Sequence, residues 1–330
     1  MTVDAPIVSQ TDAVHWIGPH NGDWNTPGNW STGKVPIPHQ DVFIDTAVSI
    51  TSSGTVNIAS LAVSSGATLE ITGGNFSIPT STNARPLSNA GTISIDAGAA
   101  LVVGETGLVG AVINSGTLHV NGGTLSLIDL TVNNAGATVQ VDSTSFLTLA
   151  DATISGGSLS NDGTLSSSGA SELDGVATST SNLLKVTAGT LTIHQGSLAN
   201  TGSGELLATG GGTLALQSVT VTDDAGATVQ VDSTSFLTLA DATISGGSLT
   251  NAGTLSSIGA SELDGVATSS SNLLEVTAGT LTIHEGSLAN TGSGELLATT
   301  GGTLALESVT VSDDAGAKVQ VDASSFLTLE

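Results

Sequence analysis

The sequence predicts an all-β protein: a right-handed parallel β-helix (solenoid) with about three short strands per rung and a tryptophan-rich cap at its N-terminus. The first observation is internal repetition, because residues 151–240 and 241–330 are one ninety-residue sequence present twice, with 13 differences. The second is composition, with 42 Gly, no Tyr, no Cys and only 2% aromatic residues. Repetition at a fixed period is typical of solenoids, in which each unit contacts only its neighbours. Small and β-branched side chains suit the thin, regular core of such a stack.

The first fifty residues differ from the rest of the chain. They hold all three tryptophans, Trp16, Trp24 and Trp30, and five of the seven prolines. An open solenoid end exposes unpaired strand edges and apolar core, so it must be covered. We therefore predict that residues 1–50 form a cap built around these tryptophans.

The capping segment also carries a recognisable pattern of the form G-D-W, N-W, G, V-P and D-V-x-I. The matching positions are Gly22, Asp23, Trp24, Asn29, Trp30, Gly33, Val35, Pro36, Asp41, Val42 and Ile44. The pattern resembles the N-terminal motif that precedes β-strand repeats in large repetitive secreted or surface proteins of bacteria, of the adhesin and haemagglutinin-like type. The resemblance implies an extracellular or cell-surface location, although no export signal is visible in this chain. It implies no activity, because a fold-level likeness does not transfer chemistry.

The remaining residues divide into four segments. Residues 51–132 are expected to form β-helix rungs without repetition. Residues 133–150 are a partial copy of the repeat, identical to residues 223–240 at 16 of 18 positions. The full copies, 151–240 and 241–330, follow as repeat 1 and repeat 2.

Within one repeat, turn residues separate short runs that alternate between apolar and polar side chains. In repeat 1 these predicted strands are ATIS, SLSN, TLSS, ELDGVA, LLKV, TLTI, SLAN, ELLA, TLAL, SVTV, ATVQV and FLTL. Twelve strands at three per rung predict four rungs of about 22 to 23 residues, right-handed by the usual crossover rule. Alternation places Leu191 and Ile193 in the core and His194 outside.

Two further residue types recur with the rungs. The N-x-G-T phrases predict corners where Asn tolerates left-handed backbone and stacks on its neighbours; they begin at Asn89, Asn114, Asn161 and Asn251. A phenylalanine recurs once per copy, and we expect it to pack in the core or at a corner; these residues are Phe146, Phe236 and Phe326.

The charge is one-sided, since 29 acidic residues face only Lys34, Arg85, Lys185 and Lys318, for a net charge of −25. Such a field disfavours nucleic acid and anionic membrane surfaces and attracts cations. The sequence also lacks a run of about eighteen apolar residues, so no membrane insertion is expected. The absence of cysteine fits an extracellular protein and a cytosolic one equally.

The search for chemistry predicts no catalytic residue and no cofactor. Nucleotide, zinc-protease, redox and serine-hydrolase motifs are absent. Adjacent carboxylates could hold calcium, and these candidates are Asp223, Asp224, Asp313 and Asp314. Otherwise no metal site is predicted, because His194 and His284 are ninety residues apart and too distant to bind one ion together.

One pair of carboxylates resembles the catalytic pair of a glycoside hydrolase. It consists of Glu172 and Asp174 and is repeated as Glu262 and Asp264. Two carboxylates at i and i+2 of a strand share a face, as general acid and nucleophile must. The repeats contain no Trp or Tyr to bind a sugar ring, so the sequence favours a solvated acidic face.

These observations favour a structural and adhesive role, as a rigid stalk and multivalent binding surface in a larger extracellular bacterial repeat protein. The expected partners are surface glycans or neighbouring copies of the protein itself. One alternative is a polysaccharide-degrading lyase or glycoside hydrolase with its site in residues 50–130, where Asp96 and Glu105 lie. Another is a binding module for ice or glycan that uses threonine rows such as Thr190 and Thr192.

Overall fold

The structure is a computed structural model that describes residues 13–80 and 85–330. Within these ranges the chain forms short β-strands, with a single 3₁₀ turn, Pro27–Asn29, and no α-helix. The start of the predicted cap, residues 1–12, and residues 81–84 of the non-repeated rungs lie outside the described residues. Every pairing between strands is parallel. The predicted parallel β-helix is therefore confirmed.

The strands stack in three columns, here called faces A, B and C, and the chain visits them in that order on every rung. Face A contains β1 (Ala13–His15), β3 (Asp41–Ile44), β6 (Ser60–Val63), β9 (Leu87–Asn89), β12 (Gly110–Asn114), β15 (Leu130–Asn133), β18 (Thr153–Ser155), β21 (Ala170–Asp174), β24 (Thr190–His194), β27 (Thr213–Gln217), β29 (Phe236–Ala240), β31 (Thr254–Ile258), β34 (Leu273–Val276), β37 (Glu295–Ala298) and β40 (Lys318–Val321). Face B contains β2 (Asn21–Asp23), β4 (Ser49–Ser52), β7 (Thr68–Ile71), β10 (Thr92–Asp96), β13 (Thr117–Asn121), β16 (Thr138–Val141), β19 (Ser158–Asn161), β22 (Ala177–Thr180), β25 (Ser197–Asn200), the first parts of β28 (Thr220–Val231) and β30 (Thr243–Asn251), β32 (Ala260–Asp264), β35 (Thr280–His284), β38 (Thr303–Glu307) and β41 (Phe326–Leu329). Face C contains β5 (Val56–Asn57), β8 (Gly74–Ile78), β11 (Ala99–Gly104), β14 (Thr124–Ile128), β17 (Phe146–Ala150), β20 (Thr164–Ser168), β23 (Leu183–Val186), β26 (Glu205–Ala208), the second parts of β28 and β30, β33 (Ala267–Ser270), β36 (Ser287–Asn290) and β39 (Thr310–Asp313).

In the described ranges, thirteen rungs pass through all three faces, from β3 to β39. Two long strands, β28 and β30, run through the corner between faces B and C. They join these faces into one sheet of 26 strands, beside the 15 strands of face A. The solenoid is thus a continuous hydrogen-bonded body.

The core is a set of rows in which similar side chains stack from rung to rung. On face B, for example, Leu69, Ile93, Leu118 and Val139 are in register and fully buried. Such a side chain contributes about 1.5 to 3 kcal/mol when buried. Since each has an aliphatic neighbour above and below, the core fills without large aromatic residues. The predicted alternation is confirmed at face A of repeat 1, where Leu191 and Ile193 are 0% exposed.

The rung count within a repeat differs from the prediction. Repeat 1 holds thirteen strand positions, the twelve strands β18 to β29 with β28 occupying two, so it spans four and one third rungs. The predicted strand ELDGVA is in fact two strands, because the chain turns at Gly175, where φ is 63°. Ninety residues over 13/3 rungs give about 21 residues per rung. Consequently, equivalent positions of successive copies lie on different faces, as Thr153 on face A and Thr243 on face B show.

The predicted stacking of the corner asparagines is confirmed, but the left-handed backbone expected at them is wrong. The side chains of Asn89, Asn114, Asn161 and Asn251 are buried, and none of the described asparagines has a positive φ. They point inward and bond along the stack: Asn89 Nδ2 donates to Asn114 Oδ1 at 2.9 Å, and Asn114 Nδ2 donates to Asn134 Oδ1 at 2.7 Å. Asn89 Nδ2 also donates to the carbonyl oxygen of Thr117 at 3.0 Å. These amides satisfy corner backbone that would otherwise be buried without partners.

The tryptophan cap fits the prediction. Trp24 and Trp30 are 0% exposed and Trp16 is 4% exposed. Trp30 packs edge-to-face with both others, at centroid distances of 4.6 and 5.0 Å, and its Nε1 donates to the Trp24 carbonyl at 2.7 Å. A Cβ at Gly22 would lie 2.6 Å from the Trp16 ring, so only glycine fits there. The motif residues therefore close the first rung.

The recurring phenylalanines contradict the expectation of core or corner packing. Phe146, Phe236 and Phe326 are 50%, 42% and 61% exposed. Each is the first residue of its strand and points outward, because the next residue, a leucine, takes the inward position. They lie on faces C, A and B respectively, so every face carries one.

Candidate functional site

Two acidic residues and a histidine meet on the outer surface of face A in repeat 1. Glu172 and Asp174 share strand β21, and His194 lies on β24, the next rung. The Nδ1 atom of His194 is 3.1 Å from Asp174 Oδ1 and 3.9 Å from Glu172 Oε1. One donor atom from each residue lies within 4.8 Å of the other two. We call this group triad 1.

Strand alternation and rung register together build triad 1. Residues i and i+2 of β21 point to the same side, which gives two outward carboxylates around the buried Leu173. Asp174 is in register with His194, and the chain needs 20 residues to return to that position. The triad lies on the outer surface of a parallel sheet, and its side chains are between 31% and 41% exposed.

A second group, triad 2, has the same composition in repeat 2: Glu262, Asp264 and His284. His284 Nδ1 is 3.2 Å from Asp264 Oδ1. Triad 2 lies on face B because the repeat adds one third of a rung. The two triads therefore face different sides of the solenoid.

The surroundings of the triads differ in charge. Gln195 and Gln217, beside His194, are replaced by Glu285 and Glu307 beside His284. Glu307 is in register with His284, and Glu285 Oε1 is 3.7 Å from His284 Nε2. Triad 2 is therefore the more negative of the two.

The sequence predicted the shared face of each carboxylate pair but not the histidine. The pairs at 172 and 174 and at 262 and 264 lie as expected. His194 and His284 do not approach each other, and each instead joins the carboxylates of its own repeat. The 20-residue spacing from Asp174 to His194 was the available signal, since it is close to the length of one rung.

The calcium candidates are arranged differently, because adjacent strand residues point to opposite sides. Asp223 is 6% exposed and points inward, and among the described residues neither of its carboxylate oxygens has a hydrogen bond of good geometry. Burial raises the pKa of Asp223 to about 6, and the side chain of Asn200 lies near enough to lower this pKa in part. Asp224 lies outside, where its Oδ2 accepts from the Gly202 N–H at 2.7 Å. In repeat 2, the Asn290 amide donates to Asp313 Oδ1 at 2.9 Å, and Asp314 again accepts from a glycine, Gly292.

The carboxylates of the non-repeated rungs do not all meet. Glu105 sits in the tight turn after β11, where it bridges to Leu108. Asp96, at the end of β10, lies beside Glu70 of the preceding rung, and burial together with the negative charge of Asp96 raises the pKa of Glu70. Asp96 and Glu105 thus belong to different surfaces.

Comparison with known proteins adds one likeness. Residues 15–155, or 141 of 330, match the family model of a domain of unknown function (DUF8693). This range includes the tryptophan cap, the non-repeated rungs and the partial copy, and it ends as repeat 1 begins. No match was found among curated proteins or among solved structures. In the described part of the chain, no helix has the length and apolar character needed to cross a membrane.

Proposed function

We propose that this chain is a rigid stalk with a multivalent adhesive surface, within a larger secreted or cell-surface bacterial repeat protein. The observation that carries the proposal is the unbroken solenoid. Its near-identical copies continue the same core, while equivalent surface positions of successive copies lie on different faces. Repetition of this kind adds length and valency, whereas a catalytic site needs to be built only once. The likeness of the capping motif to those of bacterial surface proteins supports the location.

The stalk role rests on continuity. Thirteen rungs spaced about 4.8 Å apart give a rod roughly 62 Å long. The buried hydrophobic side chains of the described residues form one connected core from Val14 to Leu306. Bending the rod would strain parallel hydrogen bonds on all three faces, so the distance between its ends is well defined.

The adhesive role is supported by the three exposed phenylalanines. Phenylalanine is one of the aromatic residues that are enriched at the cores of protein interfaces relative to the rest of the surface. Because Phe146, Phe236 and Phe326 lie on three different faces, one flat partner engages one of them per rod. A meshwork of surface glycans, or several neighbouring copies of the protein, engages all three and gains avidity.

The test compares a triple Phe146→Ser, Phe236→Ser, Phe326→Ser variant with the wild-type chain on a glycan array and in self-association measurements. The matched control replaces the outward threonines two positions later, at 148, 238 and 328, with serine. We expect the phenylalanine variant to fold normally and to lose most of its avidity, with the control unchanged. If the phenylalanine variant binds with the same avidity as the wild-type chain, the phenylalanines have no role in adhesion.

A polysaccharide-degrading activity is the second candidate, and the Glu70–Asp96 pair favours it. Two neighbouring carboxylates of which one holds its proton at higher pH are the equipment of a general acid and its partner. The test is a screen of polysaccharides for cleavage by the wild-type chain and by a Glu70→Gln variant. Turnover by the wild type that this substitution abolishes would establish an enzyme in place of a stalk alone.

A further inference from the structure

We propose that triads 1 and 2 are binding sites for a divalent transition-metal ion of the Zn²⁺ class. Each site takes one imidazole nitrogen and two carboxylate oxygens from the protein, and water completes the coordination. This inference goes beyond the stalk role and does not depend on adhesion.

The geometry of triad 1 suits a small metal ion. Zinc binds histidine nitrogen and carboxylate oxygen at about 2.0 to 2.2 Å, so neighbouring donors around it lie roughly 3.0 to 3.5 Å apart. His194 Nδ1 is 3.1 Å from Asp174 Oδ1 and 3.9 Å from Glu172 Oε1. A small rotation of the longer glutamate side chain closes the second distance. The backbone does not need to move, because all three residues are held by strands in register.

The choice of ion follows from the donor set. Carboxylates and water alone suit calcium or magnesium, whereas an imidazole nitrogen shifts the preference toward zinc, copper or nickel. In both triads the Nδ1 atom faces the aspartate carboxylate, so this nitrogen is placed for binding. The sites are thus mixed nitrogen and oxygen clusters and differ from the solvated acidic corners elsewhere on the rod.

Electrostatics supports a bound cation. Within the described part of the chain, the ion-pair partner of Glu172 and of Asp174 is His194 alone, and no lysine or arginine reaches either carboxylate. One imidazole carries at most one positive charge, so it cannot offset two neighbouring carboxylates. A divalent ion would neutralise them, and the net charge of −25 raises the local concentration of cations around the rod.

The two copies provide an internal comparison. All three triad residues are retained, although 13 of 90 positions differ between the repeats. The residues beside the histidine change from Gln195 and Gln217 to Glu285 and Glu307, which places two more carboxylates near triad 2. Since affinity for a divalent ion rises with the negative charge around it, triad 2 should bind the ion more tightly than triad 1.

The experiment titrates zinc chloride into the metal-stripped full chain by isothermal calorimetry, with a parallel cobalt titration followed by visible absorption. We expect two sites of unequal affinity. His284→Ala should remove the tighter site, His194→Ala the weaker one, and the double variant both. The matched control is His119→Ala, because among the described residues the side chain of His119 bonds to Asp142 and belongs to no three-donor group.

Melting temperatures measured with and without zinc distinguish a loss of metal binding from a loss of folding. Zinc should raise the melting temperature of the wild-type chain, and the double histidine variant should melt normally but lose that rise. If it misfolds, Asp174→Asn with Asp264→Asn replaces it, because amides preserve the shape of the outward side chains. Absence of zinc and cobalt binding at millimolar metal, or binding unchanged in the double variant, would overturn the proposal. Neither result would bear on the stalk.

Discussion

Deletion of residues 151–240 should shorten the solenoid and turn everything beyond the deletion by one third of a rung. The new junction joins Ala150 to Asp241, and Asp241 begins a copy of the sequence that normally follows Ala150. Each unit of a solenoid contacts only its neighbours, so the rest of the chain should fold as before. The deletion therefore tests whether the repeat is an independent structural unit.

The magnitude follows from the strand count. The deleted repeat holds thirteen strand positions, or four and one third rungs, which at about 4.8 Å per rung is about 21 Å of length. Repeat 2 would then begin on face A instead of face B. In the full chain Thr131 of β15 is in register with Thr153, and after the deletion Thr243 should take that place.

Disulfide formation measures this new register directly, because the natural chain has no cysteine. Thr131→Cys and Thr243→Cys should form a disulfide in the deleted chain, where their Cα atoms would be about 4.8 Å apart and within bonding range. In the full chain the two positions are five rungs apart, roughly 24 Å along the axis, and on different faces. Thr131→Cys with Thr153→Cys in the full chain is the positive control, and small-angle scattering measures the shortening.

Two outcomes would refute the reasoning. The first is a folded deletion variant that forms no disulfide while the positive control does, since repeat 2 would then not occupy face A. The second is a deletion variant without a cooperative melting transition, which would mean that distant contacts hold the rod together.

Three substitutions test the interior. Asp223→Asn should make the chain more stable than wild type at pH 7, by up to about 3 kcal/mol, and equally stable near pH 3. The buried carboxyl has a pKa of about 6 against 3.8 when unfolded, so wild-type stability is lost as pH rises through this window. Melting curves against pH check this, and Asp313→Asn, at the exposed copy, should change little. The double variant Trp24→Ala, Trp30→Ala should aggregate, because each truncation of a buried aromatic side chain costs about 3 to 5 kcal/mol. If the double variant instead stays monomeric and equally stable but loses glycan binding, the two tryptophans form a ligand platform. Asn114→Ala should lower the free energy of unfolding by about 1 to 3 kcal/mol, since it removes the acceptor of one Asn89 amide hydrogen and the donor to Asn134 Oδ1. An unchanged denaturant midpoint would contradict a stabilising role for the asparagine stack.

Much of the fold could be predicted because its signals are local. Alternation has a period of two residues, so it identified Leu191 and Ile193 as core residues and His194 as an outward one without knowledge of any other strand. The tryptophans indicated a cap because side chains of that size do not fit the thin core of the repeats. Phe146 was predicted wrongly because its apolar character was given more weight than the alternation: Leu147 and Leu149 take the inward positions, which places Phe146 outside.

The triads could not be predicted because their assembly depends on the combined length of all the strands and corners between the residues that meet. Whether Asp174 meets His194 depends on the length of every strand and corner between them, and corners vary: Gly156 and Gly157 form one, whereas β28 runs through another without a break. The prediction counted twelve strand positions per repeat instead of thirteen, so it placed repeat 2 on the wrong face.

The sequence by itself determined that this protein is a capped, repeating parallel β-helix and which side chains its core would bury. Repeat identity and period-two alternation are encoded within a few residues of each position, so they need no partner to be read. The tertiary structure decided that a repeat spans four and one third rungs, that triads 1 and 2 assemble, and that they point to different sides. Those features arise from register between strands about 20 residues apart, and register is set by the packing and hydrogen bonding of whole rungs.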